Sequence, residues 1–177
     1  MIAAAEYGKA LFSLAKETHS EDAILETLKI VRDMLSNYPA YSKLLDTPAI
    51  STDEKLSLID KSFGECEQIV LNFIKILCEK HAVYQLHACV STYIQLYNEE
   101  KGICEATCIT AMPLTDFQKN ALCQKISTMT HKRVQLTEKV DSALIGGMIL
   151  LVDGKQLDGS IKTRLDHFRL ALADIIM

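Results

Sequence analysis

The amino-acid sequence predicts a mainly α-helical protein, in which an N-terminal bundle of six helices is followed by a small α/β domain. Apolar residues recur at helical spacing through residues 1–104, whereas the later residues alternate between strand-like and helix-like patterns. With 177 residues, 49% of them hydrophobic, the chain can bury two small cores. We therefore expect two domains, spanning residues 1–104 and 105–177.

The first helix is expected over residues 7–18 and carries two apolar stripes instead of one. Residues spaced three or four apart make up the stripes: Tyr7, Leu11 and Leu14 form the first, and Gly8, Phe12 and Ala15 form the second. A helix of this kind can bury one face in its own domain and offer the other face to a partner.

Capping signals predict where the next three helices begin. Ser20 is a candidate N-cap for the second helix, which Pro39 ends. A short helix over residues 41–45 follows, and Ser51 with Glu54 forms a capping box that opens the fourth helix. Such caps mark helix starts because they satisfy backbone N–H groups that have no partner inside the helix.

Two longer helices complete the predicted bundle. Residues 67–80 are so apolar that they leave no broad face for water, and residues 82–101 repeat apolar residues at helical spacing up to Gly102. The surplus apolar surface on the first and fifth helices suggests that a helix of another protein lies against them. Burial of all of this surface in the domain's own core is the alternative.

The second domain begins with a strand over residues 104–112, after which Thr115 and Gln118 form a capping box for a helix. Residues 133–140 then alternate between apolar and polar side chains, with Glu138 as the single exception on the apolar face. This alternation predicts a half-buried strand.

The chain is expected to close with a hairpin and a helix. Residues 148–152 form an apolar strand, and Asp153-Gly154 is a two-residue turn signal that returns the chain over residues 155–157. From Gly159 onward the helical spacing continues almost to the end, which predicts an amphipathic helix. Its apolar stripe consists of Ile161, Leu165, Phe168, Leu172 and Ile175.

The charge distribution favours neither nucleic-acid nor membrane binding. Charged residues make up 24% of the chain and the net charge is -4, with no long run of either sign. No segment approaches the roughly 20 apolar residues that a membrane span requires, and the N-terminus resembles neither a secretory signal nor a transit peptide. We expect a soluble protein that a partner can hold at a membrane, with RNA binding by the α/β domain as an alternative.

Six cysteines occur without a CxxC pattern, which predicts buried thiols in a reducing compartment. A small thiol- or metal-dependent enzyme that uses Cys78, His81 and Cys89 is the main alternative to a binding protein. The spacing is unfavourable, because His87 and Cys89 lie two residues apart on a helix and point in different directions. We therefore predict no catalytic residue, no metal site and no cofactor.

Glycine and aspartate residues of the second domain fit turns better than they fit chemistry. Gly146-Gly147 precedes an apolar strand instead of a helix, which indicates a bend or close backbone packing and not a phosphate-binding loop. Asp141, Asp153 and Asp158 fall at predicted turns or helix starts, where aspartate makes local hydrogen bonds.

Four segments, taken together, resemble one protein family. They are residues 7–12, 72–77 and 112–115, and a signature made of Asp141, Leu144, Gly146, Gly147, Asp158, Gly159, Ser160 and Leu165. In this order they resemble the delta subunit of bacterial and chloroplast ATP synthases, which is similar to the mitochondrial oligomycin-sensitivity-conferring protein. Gly8 departs from the family, which often has alanine there, and we expect it to loosen the first helix by about 0.5–1 kcal/mol.

The resemblance implies a non-catalytic stator subunit of a rotary, proton-translocating ATP synthase, present once per complex. Its N-terminal domain would bind the N-terminal helix of an alpha subunit of the catalytic head. Its C-terminal domain would bind the peripheral-stalk b subunits, so that the head resists the torque of the rotor. The complex would hold the chain peripherally on the cytoplasmic face of the bacterial inner membrane.

The resemblance also assigns residues to these two contacts. Carried over by position, the groove for the alpha-subunit helix consists of Tyr7, Ala10, Leu11, Leu14, Phe73, Ile74 and Leu77. The expected contacts with the peripheral stalk are Leu165, Phe168 and Leu172.

Overall fold

A computed structural model describes residues 2–47, 49–163 and 165. The chain divides into two compact units, Met1–Tyr97 and Asn98–Met177. We expected the boundary after residue 104, which is further along the chain than the observed one. Residue 104 lies inside the first strand of the second unit, Ile103–Thr110. Within the described residues the protein is mainly helical, with one small mixed sheet in the second unit.

Helices account for nearly all of the first unit. In chain order they are α1 (Ile2–Glu17), α2 (Glu21–Asn37), α3 (Pro39–Asp46), α4 (Thr52–Phe63), α5 (Gln68–Glu79) and α6 (Leu86–Lys101). The helix predicted over residues 82–101 instead begins with a separate 3-10 turn, Val83–Gln85. This turn is held by the Asp46 carboxylate, which accepts hydrogen bonds from the backbone N–H groups of Val83 and Tyr84, both at 3.0 Å.

The two helix caps predicted for α2 and α4 differ in their hydrogen bonds. Ser51 and Glu54 form a capping box at the start of α4, as predicted, because the Ser51 hydroxyl accepts from the Glu54 N–H and the Glu54 carboxylate accepts from the Ser51 N–H. Ser20 is the N-cap residue of α2, as predicted, but its side chain makes no cap hydrogen bond to the helix. Its hydroxyl instead lies 2.6 Å from that of Thr18 in the turn after α1.

Inward-facing stripes of the helices form the core of the first unit. Ile24, Leu28 and Val31 of α2 are fully buried, as the periodicity predicted. Phe12 of α1 meets Tyr93 of α6 edge to face, with ring centroids 5.3 Å apart. An aromatic pair of this geometry contributes about 0.5–1.5 kcal/mol beyond its buried area, and it fixes the orientation of α1 on α6.

The second unit is a four-stranded sheet with one described helix packed on it. Its elements are β1 (Ile103–Thr110), α7 (Asp116–Thr130), β2 (Arg133–Val140), β3 (Met148–Val152) and β4 (Lys155–Asp158). The strand order is β2-β1-β3-β4, in which β1 and β2 are parallel and the other neighbours are antiparallel. Because β1 and β2 are parallel, α7 must carry the chain back between them, and it buries Ile126 against Cys104 and Ala106.

The hairpin predicted at Asp153-Gly154 joins β3 to β4. Both turn residues have a positive φ, 46° for Asp153 and 78° for Gly154, which suits the right-handed twist of the two strands. Val152 pairs with Lys155 across the turn, so the loop contains only the two predicted residues. The capping box of Thr115 is also present at the start of α7.

Candidate binding surfaces

Burial along α1 separates the two predicted stripes. Gly8, Phe12 and Ala15 are buried, so the second stripe belongs to the core. Exposure varies along the first stripe: Leu11 is 5% exposed, Tyr7 is half-buried and Leu14 is 42% exposed. The outward face of α1 is therefore formed by the exposed Ala10 and Leu14 with the half-buried Tyr7.

All three predicted groove residues on α5 are core residues. Ile74 and Leu77 are fully buried and Phe73 is 7% exposed, so they belong to the core of the first unit. Ile76, which the sequence analysis did not select, is 45% exposed. Its only sequence signal is an apolar side chain that lies off the buried stripe of α5.

Close packing between helices explains the unexpected glycine of α1. A Cβ atom added at Gly8 would lie 2.7 Å from the backbone oxygen of Cys89 and 2.8 Å from the Cβ of Thr92, both on α6. These distances are shorter than any ordinary contact, so only glycine lets the two backbones approach this closely. The glycine thus fixes the inward face of α1 and, with it, the face that points outward.

The three residues of the alternative enzyme, Cys78, His81 and Cys89, differ in their exposure to solvent. Cys78 and Cys89 are buried, and burial raises the pKa of both thiols, that of Cys89 to about 11. A raised pKa leaves the thiol protonated and unreactive near neutral pH. His81 is exposed and lies in the turn after α5, with a φ of 51°. Among the residues that the structure describes, no three His, Cys, Asp or Glu side chains are placed to hold a metal ion.

The signature glycines form a close backbone junction, which we call the signature clasp and define as residues 146–148 and 158–161. A Cβ atom at Gly147 would lie 2.4 Å from the backbone oxygen of Gly159, and the φ of Gly147 is 80°. The N–H of Gly159 donates to the Met148 oxygen at 2.9 Å, and the N–H of Ile161 donates to the Gly146 oxygen at 3.0 Å. The prediction of close backbone packing at this glycine pair is confirmed.

The signature aspartates hold turns. Asp158 accepts hydrogen bonds from the Ser160 N–H at 2.8 Å and from the Thr163 hydroxyl at 2.7 Å, and these bonds lower the pKa of its carboxyl group. Ser160 in turn accepts from the Thr163 N–H at 3.3 Å, which caps the helical residues 161–163. Asp141 accepts from the Ala143 N–H at 2.9 Å.

Of the predicted stalk contacts, Leu165 is 55% exposed, and Phe168 and Leu172 lie outside the described residues. Several other apolar side chains of the second unit are more exposed than Leu165, with Met112 at 75% and Phe117 at 82%. The sequence analysis did not select Met112 or Phe117, because neither belongs to a predicted apolar stripe of a helix or strand.

The glutamate that interrupts the apolar face of β2 has two partners. The Glu138 carboxylate accepts a short hydrogen bond from the Leu114 N–H. It also forms an ion pair with the Lys119 ammonium group, with the two atoms 2.8 Å apart. Both partners favour the ionised form, so they lower the pKa of the Glu138 carboxyl group. Glu138 therefore ties the loop between β1 and α7 to the neighbouring strand.

A helical unit with one apolar face of its first helix turned outward, joined to an α/β unit whose motif residues hold turns, is the arrangement of a docking protein. The sequence matches the family described as ATP synthase delta (OSCP) subunit over residues 3–172. The chain belongs to this family, whose members are non-catalytic stator subunits of ATP synthases.

Individual relatives agree with this assignment. The ATP synthase subunit delta of Clostridioides difficile is 30% identical over 177 residues, covering 99% of this chain and 98% of the relative. That of Enterococcus hirae is 33% identical over 164 residues, covering 92% and 91%. A chain in the cryo-EM structure of the Toxoplasma gondii mitochondrial ATP synthase hexamer has the same fold, with a TM-score of 0.76, 20% identity and coverage of 96% and 97%. No helix in the described ranges is long and apolar enough to cross a membrane.

Proposed function

We propose that this chain links the catalytic head of an ATP synthase to its peripheral stalk, with one copy in each complex. Its six-helix N-terminal unit receives the amphipathic N-terminal helix of an alpha subunit, and its C-terminal unit binds the b subunits. The complex then holds the chain peripherally on the cytoplasmic face of the bacterial membrane. Membership of the delta family supports this assignment.

One observation carries the assignment of the first unit. The inner stripe of α1 is locked against α6 by Gly8 and Phe12, while Ala10 and Leu14 on its other side remain exposed. Half-exposed apolar side chains on a rigid helix suit the apolar face of a second helix, because little conformational entropy is lost on binding.

We assign the predicted groove residues to two roles, and their burial supports this division. Leu11, Phe73, Ile74 and Leu77 form the supporting layer. Tyr7, Ala10 and Leu14 make the contacts, with Ile76 of α5 as an added contact. This division suits a subunit that must stay bound under torque, since a contact layer that rests on a packed core cannot yield easily.

The division also determines which variant tests the proposal. Aspartate at Leu11 or Phe73 would place a charge in the core and unfold the unit. Leu14→Asp instead alters an exposed position and should weaken binding of a synthetic alpha-subunit N-terminal peptide by about tenfold or more, as loss of an interface anchor does. Isothermal titration calorimetry measures the affinity, and far-UV circular dichroism checks that the helix content is unchanged.

Ile30→Asp provides the matched control. Ile30 is 64% exposed on α2. Its replacement by aspartate therefore makes the same chemical change, from an exposed apolar side chain to a carboxylate, on a different helix. It should leave the affinity for the alpha-subunit peptide unaltered. Equal binding by the wild type and Leu14→Asp would show that α1 does not carry the contact.

A further inference from the structure

The strand β2 forms one edge of the sheet in the second unit. Among the described residues it pairs with β1 alone, in parallel and without a bulge along its eight residues. The Arg133 N–H donates to the Gly102 oxygen at 2.8 Å, and the Asp141 N–H donates to the Thr110 oxygen at 2.9 Å. The odd-numbered residues of β2 therefore direct their backbone groups toward β1, because these groups alternate in direction along a strand.

The even-numbered residues of β2 direct their backbone groups away from the sheet. Val134, Leu136, Glu138 and Val140 each point one N–H and one C=O outward, and no described residue is bonded to these groups. Edge strands are often protected by proline, a bulge or short length, and β2 has none of these. The edge of β2 can therefore accept another strand.

A second copy of β2 fits this edge in one register. In an antiparallel pair with a two-fold axis at Thr137, the exposed Arg133 of each copy lies opposite the exposed Asp141 of the other. On the other face of the sheet, Val134 lies opposite Val140. The pair thus joins opposite charges twice and apolar side chains twice, and such cross-strand pairs stabilise a sheet.

Charge disfavours the neighbouring registers. The register changes in steps of two residues, because only every second residue offers its backbone groups to the partner strand. One such step places Arg133 opposite Lys139 of the second copy, and a step in the other direction places Glu138 opposite itself. Like charges directly opposite each other destabilise a sheet. In the favoured register Glu138 lies opposite the uncharged Leu136.

We infer that two copies of this chain associate through the edges of their β2 strands, which joins the two sheets into one. A contact between two edge strands buries little surface, so the association is weak and depends on protein concentration. The inference concerns the chain free in solution. It does not rest on the proposed function, in which a single copy enters each complex.

Cysteine substitutions along β2 test the register in the full-length chain. The two Thr137 residues would form a pair with Cα atoms about 4.5 Å apart, within the range that a disulfide spans. Thr137→Cys should therefore form a covalent dimer with oxidised glutathione, which is reduced to two glutathione molecules as the two thiols are oxidised to a disulfide. Non-reducing gel electrophoresis detects this dimer.

Gln135→Cys is the matched control for the cross-link. Its two copies would lie about 14 Å apart, too far for a disulfide. The wild type shows the background that arises from the six native cysteines.

Arg133→Glu tests the charge pairing. It places a second carboxylate opposite Asp141 at both ends of the pair and should weaken self-association by about tenfold. Sedimentation velocity over a series of protein concentrations measures the change. Lys125→Glu makes the same change of charge at an exposed position of α7 and should leave self-association unaltered.

Two results would overturn the inference. The first is a wild-type chain that stays monomeric at every concentration, with no covalent dimer from Thr137→Cys. The second is equal cross-linking by Gln135→Cys and Thr137→Cys, since the contact would then lie in another register or on another surface. Neither result affects binding of the alpha-subunit peptide, so the proposed function is tested separately.

Discussion

Gly8 lies where α1 crosses α6, and its lack of a side chain has opposite meanings in sequence and in structure. Helix propensity alone treats it as a weak point that costs about 0.5–1 kcal/mol relative to alanine. The distance of 2.7 Å from its missing Cβ to the Cys89 oxygen reverses this interpretation, because a backbone oxygen cannot move aside cheaply. The same residue that weakens the isolated helix strengthens its packing.

Gly8→Ala should therefore lower the free energy of unfolding by about 1–3 kcal/mol, the usual cost of overpacking a close contact. Urea unfolding monitored by circular dichroism measures the change. Ser13→Ala, at an exposed position of the same helix, should be neutral or slightly stabilising, because it gains helix propensity without a contact. A more stable Gly8→Ala protein would show that α1 does not pack on α6 at this distance.

At the scale of elements, Glu138 joins the loop before α7 to β2. The pKa of its carboxyl group lies below the ordinary value of 4.5, because Lys119 and the Leu114 N–H stabilise the ionised form. Its contribution to stability is therefore complete above the unfolded-state pKa and is lost as the pH falls through the lower folded-state pKa.

Glu138→Gln should reduce the free energy of unfolding at pH 7, and the difference from the wild type should shrink as the pH falls below about 4. Urea titrations at a series of pH values test this, and added salt should reduce the difference because the ion pair is partly exposed. Glu65→Gln, at an exposed position of the first unit, serves as the control. A difference that stays constant from pH 7 to pH 3 would assign the effect of the variant to lost packing instead of charge.

Elements were predictable where their signals were local. The capping boxes of α4 and α7 and the hairpin at Asp153-Gly154 depend on residues within a few positions of each other, and all three are present. Ser20 is the N-cap of α2, but its hydroxyl pairs with that of Thr18 instead of the helix. The role of Glu138 could not be predicted, since its partner Leu114 lies on another element.

At the scale of the whole molecule, the two units carry different spectroscopic reporters. All six tyrosines lie at or before Tyr97, and the chain has no tryptophan, so intrinsic fluorescence reports on the first unit alone. Far-UV circular dichroism reports on both units. Separately clustered units with their own cores can unfold separately.

Gly147→Ala should lower the stability of the second unit by about 1–3 kcal/mol, because the added Cβ meets the Gly159 oxygen and the positive φ disfavours alanine. The loss should appear in circular dichroism while the midpoint of tyrosine fluorescence stays in place. Gly8→Ala provides the reciprocal control and should shift the fluorescence midpoint. If Gly147→Ala moves both signals equally, the two units unfold as one.

The sequence by itself determined the family, the order of helices and strands, the hairpin and the turns of the signature, because these depend on residues that are close in the chain. Only the tertiary structure decided which apolar residues stay exposed. Leu11 and Leu14 occupy the same predicted stripe, yet one is buried and the other is 42% exposed. Burial depends on neighbours from distant parts of the chain, and no local pattern contains them.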